Sequence, residues 1–179
     1  MIVQLAGLPG TGKSALATEL ARRLQQRALV LDKDRVRDAL FGPRHTRYTR
    51  EQDDFCVRLM FQAAAWQLRH APGTVVVLDG RPCVHAYQVA EVRRFAAGLG
   101  QPLRIIECAC PDSFAEQRLR ADAARSEHPA TDRGVGLYRR LKAVAEAIPE
   151  PKLRLDTARP LSECADHALA YLRLTGELS

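Results

Sequence analysis

Short, unbroken apolar runs alternate with amphipathic stretches along most of the chain. Ile2–Ala6, Ala28–Asp32, Thr74–Asp79, Leu103–Cys110 and Lys152–Asp156 are brief and rich in Val, Ile and Leu, which predicts strands buried on both faces. Between them lie helical periods. Lys13–Gln26 sets Leu16, Leu20 and Leu24 on one stripe, Glu51–His70 carries Phe55, Leu59 and Ala63, and His85–Leu99 turns Val89, Val92 and Phe95 inward. Asp34–Leu40 starts a short helix that Gly42-Pro43 ends, and His45–Arg50 reads as a polar loop. Pro111-Asp112 opens a helix containing Arg118; Leu137, Leu141, Val144 and Ile148 make a further apolar stripe, and Leu161–Leu174 a terminal helix. Five strands interleaved with helices predict one α/β domain, a five-stranded parallel sheet with helices on both faces.

Composition narrows the class without naming a task. At 179 residues, 46% hydrophobic and 27% charged, the chain can bury a core of its own, and neither disorder nor a fibrous repeat fits. No run approaches the ~20 apolar residues of a membrane-spanning helix. Met1–Gly7 runs straight into a strand without a basic region or cleavage site, so a soluble, cytoplasmic protein with no membrane partner is expected. The net charge of +6 is carried by arginine, since the lysines are Lys13, Lys33, Lys142 and Lys152 alone. Guanidinium suits phosphate and carboxylate, although scattered arginines mostly read as solvated helix decoration. Five cysteines, an odd and scattered set, argue against a disulfide framework. Cys108 and Cys110 read as packed thiols rather than zinc ligands, and His45, His70, His85, His128 and His167 show no ligand spacing. Trp66, Phe55 and Phe61 share a helix and are expected in the core.

The sharpest chemical signal is Gly7-Leu8-Pro9-Gly10-Thr11-Gly12-Lys13-Ser14, a full match to G-x-x-x-x-G-K-[ST] between a strand and a helix. Glycines let the backbone curl its N–H groups toward phosphate oxygens, and the helix N-terminus adds the positive end of its dipole. Lys13 is expected to neutralise the β- and γ-phosphates, and Ser14 to offer a hydroxyl to Mg²⁺. The third strand ends at Asp79, placed to hold the metal as well. Motor ATPases follow that Asp with a water-activating Glu; here Gly80 follows, and no Asn-Lys-x-Asp guanine-reading motif is present.

The second strand ends in Asp32-Lys33-Asp34-Arg35-Val36-Arg37. In open α/β sheets this edge faces the ligand. A carboxylate there can take the proton of an attacking hydroxyl. Asp34 is the preferred base, Asp32 the alternative, and either one also suits capping of the helix that follows. Arg37, one turn on, suits an anionic group of the acceptor.

Together, the Gly7–Ser14 motif, Asp34-Arg35-Val36-Arg37 and Leu78-Asp79-Gly80-Arg81 resemble the small P-loop kinases. That group includes adenylylsulfate kinase, gluconate kinase, chloramphenicol phosphotransferase, the zeta-toxin-like kinases and, most similar to this chain, the AAA-type small kinases of bacteria. The resemblance covers nearly the whole chain and implies a P-loop NTPase fold of the nucleoside-monophosphate-kinase layout, as one domain over residues 1–179. It also implies a small lid at about 120–136 and a substrate-side insertion at about 41–70. Arg118 then stacks on adenine or reaches the phosphates, and lid arginines Arg125 and Arg133 close over the transferred phosphoryl. Pro160, in the loop Asp156–Pro160, flanks the base. Asp34, Arg37, Asp79 and Arg81 face the acceptor.

The arginines, histidine and tyrosine of Arg44–Arg50, with Arg37 and Arg81, suggest a polar or anionic acceptor. The expected activity is ATP-dependent, Mg²⁺-assisted transfer to a hydroxyl of a small metabolite. A polynucleotide 5′-hydroxyl kinase and a non-catalytic nucleotide-binding module are the alternatives, the first motivated by the net charge and the Arg44–Arg50 cluster.

Overall fold

The computed structural model describes residues 1–125 and 134–173, with the side chain of Arg125 left out. Five strands form one all-parallel sheet in the order β2-β3-β1-β4-β5: β1 Ile2–Ala6, β2 Ala28–Asp32, β3 Val75–Asp79, β4 Leu103–Ala109 and β5 Leu153–Asp156. Every residue of β1 and β3 is buried, as strands covered on both faces must be. Even Gln4 lies inside, where its amide donates to the Leu5 carbonyl at 2.7 Å.

On one face, α1 (Lys13–Leu24) and α7 (Leu161–Arg173) pack Leu16, Leu20, Ala165 and Leu172 against Val3, Leu5 and Ile106. On the other, α3 (Arg50–His70) and α4 (Ala86–Gly98) pack Met60, Ala64, Leu68, Val92 and Ala96 against Ile2, Val76 and Leu78. Helices α5 (Asp112–Arg125) and α6 (Val135–Val144) join through Ala115, Leu119 and Tyr138. All strands run the same way, so Ala6, Asp32, Asp79, Ala109 and Asp156 end on one edge. From β1 the chain crosses first to β2 and β3 and later to β4 on the other side. The end of β1 is therefore the switch point where such sheets bind ligands.

Four local expectations are corrected. Helix α2 (Lys33–His45) does not stop at Gly42-Pro43; it kinks there, with Gly42 at φ 56°, and continues to His45. The loop before α3 shrinks accordingly, and Thr49 caps α3 by accepting from the Gln52 amide at 3.3 Å. The inward stripe of α3 is Cys56, Val57, Met60, Ala64 and Leu68, not Phe55, Leu59 and Ala63. Phe55 and Trp66 are exposed because they lie off that stripe, Phe55 beside Phe41 and Trp66 stacked on His70, while Phe61 is half-buried and stacks on Phe95. On α6 only Tyr138 is buried and Val144 is exposed; Ile148 packs inward from the segment after the helix.

Candidate active site

The phosphate cradle begins where β1 ends. Gly7 donates to the Pro82 carbonyl at 3.0 Å, which ties the loop to the end of β3. Gly7, Gly10 and Gly12 have φ of 132°, 76° and 81°, values that L side chains avoid. At Gly7 a Cβ would be driven into the Cys108 carbonyl oxygen, and at Gly10 it would stand 2.6 Å from the Ala115 carbonyl. The loop is thus pressed between β4 and α5, with no space for side chains at those two positions. Inside it, the Leu8 carbonyl accepts from the Thr11 amide (3.3 Å), the Thr11 hydroxyl (2.7 Å) and Lys13 Nζ (2.9 Å). Lys13 is buried in the first turn of α1, and Ser14 beside it is exposed. Burial pushes the Lys13 pKa down, opposed most by the Asp79 carboxylate and also by Cys108, Cys83 and Asp34.

Beside the cradle, Asp32 and Asp79 stand side by side in register at the ends of β2 and β3. They differ in use. Asp32 caps α2, accepting from the amides of Asp34 (2.8 Å) and Arg35 (3.4 Å). Asp79 is 1% exposed, and its Oδ1 has no hydrogen-bond partner among the described residues. Of the two carboxylates suited to act as base, Asp32 therefore serves as the helix cap. The side chain of Asp34 remains 39% exposed.

The expected acceptor arginines lie at this edge, with their charges already engaged. Arg37 is buried and donates through Nη1 to Asp34 and through Nη2 to Asp53. Arg81, also buried, donates through Nη1 to Glu91 at 2.7 Å and through Nη2 to Asp54 at 2.9 Å. Lys33 Nζ reaches Asp53 at 2.8 Å, and Tyr87 stacks under Arg50 and Arg81. Sequence reading passed over Lys33, Asp53, Asp54, Glu91 and Tyr87. One signal was present: Asp53 and Asp54 are adjacent acids in the first turns of α3, where the helix dipole favours them, across from a basic α2. The only buried residues on α2 are Lys33 and Arg37, both cations.

On the other side of the cradle, Arg118 of α5 donates to the Thr157 carbonyl at 2.7 Å and to the Gly10 carbonyl at 3.4 Å. Thr157 closes the contact by donating its hydroxyl to the Thr11 carbonyl at 2.8 Å. Pro160 is exposed at the start of α7, three residues on. Arg133 and the side chain of Arg125 lie outside the described residues. Behind the cradle a cavity of about 250 Å³ is lined by Leu8, Cys83, Cys110, Tyr138 and Lys142 among others. Tyr138 and Lys142 both donate to Asp112, at 2.8 Å and 2.6 Å. Burial pushes the thiols of Cys83 and Cys108 up to about 11 and about 12. Groups of His, Cys, Asp and Glu able to hold a metal by themselves are absent among the described residues, and so is a helix long and apolar enough to cross a membrane.

Comparisons with known proteins bear on the family and the fold. A family model described as AAA domain matches residues 2–145. No curated protein matches the chain significantly. Among solved structures, the chain is similar to a putative kinase from Chloroflexus aurantiacus, at 17% identity over 96% of this chain and 95% of that one, with a TM-score of 0.72. It is similar to a gluconokinase from Sinorhizobium meliloti, at 18% identity over 98% and 94%, with a TM-score of 0.69. It is also similar to the Mycobacterium tuberculosis APS kinase, solved with AMPPNP and APS, at 24% identity over 96% of each chain and a TM-score of 0.67. At such identities the likeness establishes the shared fold.

Proposed function

Because the chain belongs to the AAA domain family, with the fold of P-loop kinases, we propose that it is an ATP-dependent phosphotransferase acting on a hydroxyl of a small polar molecule. The observation that carries this reading is the cradle Gly7–Ser14 at the sheet's switch point, with buried Lys13 beside Asp79 and an exposed Asp34 at the next strand but one. Amides of the loop and of the first turn of α1 hold the β- and γ-phosphates, and Lys13 offsets their charge in a site that its burial shows to be poorly solvated. Arg118, held against Gly10 and Thr157, lies on the nucleotide side with Pro160. Arg125 and Arg133 belong to the lid.

Mg²⁺ fits the residues present. The Ser14 hydroxyl and the partnerless buried oxygen of Asp79 are the hard oxygen donors that this ion prefers. When bound, Mg²⁺ supplies charge neutralisation on the phosphates. Asp34 takes the proton of the acceptor hydroxyl. The acceptor oxygen forms a bond to the γ-phosphorus, the bond from that phosphorus to the bridging oxygen breaks, and its electron pair leaves on ADP.

The test is ATP consumption with and without a panel of hydroxyl compounds. Lys13→Ala should lower turnover on the order of 10³-fold with an unchanged circular dichroism spectrum, and Asp34→Asn should lower transfer but leave ATP binding intact. No heat on titrating any nucleoside triphosphate with magnesium would end this reading.

A further inference from the structure

The wall beside Asp34 sorts its charges by depth. The side chains of Lys33, Arg37 and Arg81 are 6%, 2% and 5% exposed, whereas those of Asp34, Asp53, Asp54 and Glu91 are 39%, 35%, 25% and 29% exposed. What a ligand meets there is chiefly the carboxylate oxygen of Asp34, Asp53 and Glu91, with the three cations beneath as a floor; the exposed Arg50 already stands 3.8 Å from Asp54. Resting on the kinase reading, we infer that the acceptor is an amine-bearing hydroxyl compound, of the amino sugar or amino alcohol class, and not a carboxylated or phosphorylated one.

Both arms of each guanidinium are spent. Arg37 serves Asp34 and Asp53, and Arg81 serves Glu91 and Asp54. Arg37 Nε and the remaining N–H groups of both guanidiniums are sealed in with their side chains. An anionic acceptor could reach either buried arginine only by displacing a carboxylate and then sitting against it, a like-charge contact in which one guanidinium is shared among three anions. An ammonium or hydroxyl group needs no such rearrangement. Each carboxylate oxygen engaged by one donor keeps a second lone pair, and the exposed side of the wall presents those lone pairs outward.

Two further observations fit the same ligand. The Tyr48 ring lies over Arg37 at 5.3 Å and is 54% exposed, an aromatic face beside carboxylates that suits an ammonium or the apolar face of a sugar ring. Asp79, buried with one oxygen unpartnered, ends the strand that lies between β2, which leads into this wall, and β1, which leads into the cradle. Carboxylates therefore run from this wall to the edge of the cradle.

The experiment titrates the full chain, loaded with magnesium and a non-hydrolysable ATP analogue, with matched triplets: glucosamine, glucose and glucose 6-phosphate; ethanolamine, ethylene glycol and glycolate. ATP consumption is measured with the same compounds. An amine member should bind and turn over about 10-fold better than its neutral partner, with the anion weakest. Asp53→Asn should erase that preference and raise binding of the anion, because Arg37 Nη2 and Lys33 lose their partner; Asp53→Glu should restore it. An equal loss across a triplet in Asp53→Asn would reduce the residue to a structural role and overturn the inference, as would failure of every amine member to bind at millimolar concentration. Preferred transfer to an anion would overturn the inference and leave the kinase reading standing. Amine binding without any ATP turnover would overturn the kinase reading and, with it, the acceptor role, leaving the wall as an amine-binding surface alone.

Discussion

The phosphate cradle and the ionic wall are neighbours on one edge of the sheet, yet they are made of different material. The cradle is main chain. Three glycines at positive φ, a carbonyl that gathers three donors and the first turn of α1 define it, and Lys13 is its one charged side chain. The wall is side chain. Three buried cations on α2 and at the end of β3 meet carboxylates from α2, α3 and α4. The difference follows from what each surface would meet. A triphosphate tail is the same in every nucleotide, so peptide dipoles held rigidly are enough to bind it. Acceptors differ from one kinase to the next, and a surface of side chains changes its preference by substitution without moving the backbone.

The strongest way to break the cradle adds one methyl group and no charge. Gly7→Ala forces a Cβ into the Cys108 carbonyl at a φ of 132°. Strand β4 cannot yield without disturbing its pairing with β1. Triphosphate affinity should fall by at least ~100-fold, with a loss of about 2–4 kcal/mol in stability by urea titration. Wild-type affinity in this variant would mean that the loop is not held by its contact with β4.

The wall should break differently. Arg81→Met leaves Asp54 and Glu91 facing each other without their shared guanidinium. Removing one partner of a buried pair costs about 3–5 kcal/mol, but these carboxylates are a quarter or more exposed, so about 2 kcal/mol is expected. Triphosphate binding should be unchanged. A comparable drop in nucleotide affinity would show that the two regions are coupled.

A third test uses pH. Burial lowers the Lys13 pKa, and the ammonium is the form that binds phosphate. Below the lowered pKa the cation is present and affinity is flat. Above it affinity should fall by about tenfold per unit, starting at a lower pH than an ordinary lysine would give. Calorimetric titrations from neutral to alkaline pH would follow this, with Lys13→Arg, which keeps its charge, as the control that stays flat.

The sequence told more about the cradle than about the wall, for physical reasons. Parallel strands under helices are continuous apolar runs even at a half-buried edge such as β2, so β1 and β2 were legible residue for residue and the other three to within one residue of each end. The cradle is a contiguous motif whose glycines, Lys13 and Ser14 carry its chemistry, although Pro82, Arg118 and Thr157 hold it in place from afar. The wall depends on how α2 meets α3: Arg37 and Asp53 are 16 residues apart and Arg81 and Asp54 27 apart, and no local period carries such pairings. The buried arginines consequently read as open grips for an anion. The kink at Gly42 hid the rest of α2, because Gly-Pro ordinarily ends a helix. On α3 the large aromatics drew the expected core stripe toward Phe55 and Trp66, although smaller residues fill the space against the sheet.

That last error supplies the gentlest test, because α3 carries the wall at its first turns and Trp66 near its end. Trp66 is 55% exposed and stacks on His70 at 4.2 Å, with the His70 ring 2.7 Å from the Trp66 carbonyl. Half-exposed surface contributes little, and a stacked pair at the surface adds on the order of 0.5–1 kcal/mol, so Trp66→Ala should cost about 1 kcal/mol or less and leave acceptor preference untouched. Met60→Ala, on the same helix but 2% exposed, should cost about 2–4 kcal/mol by leaving a cavity against the sheet. If the two losses came out equal, the inward face of α3 would be wrongly assigned, and the direction in which Asp53 and Asp54 present their carboxylates would turn with it.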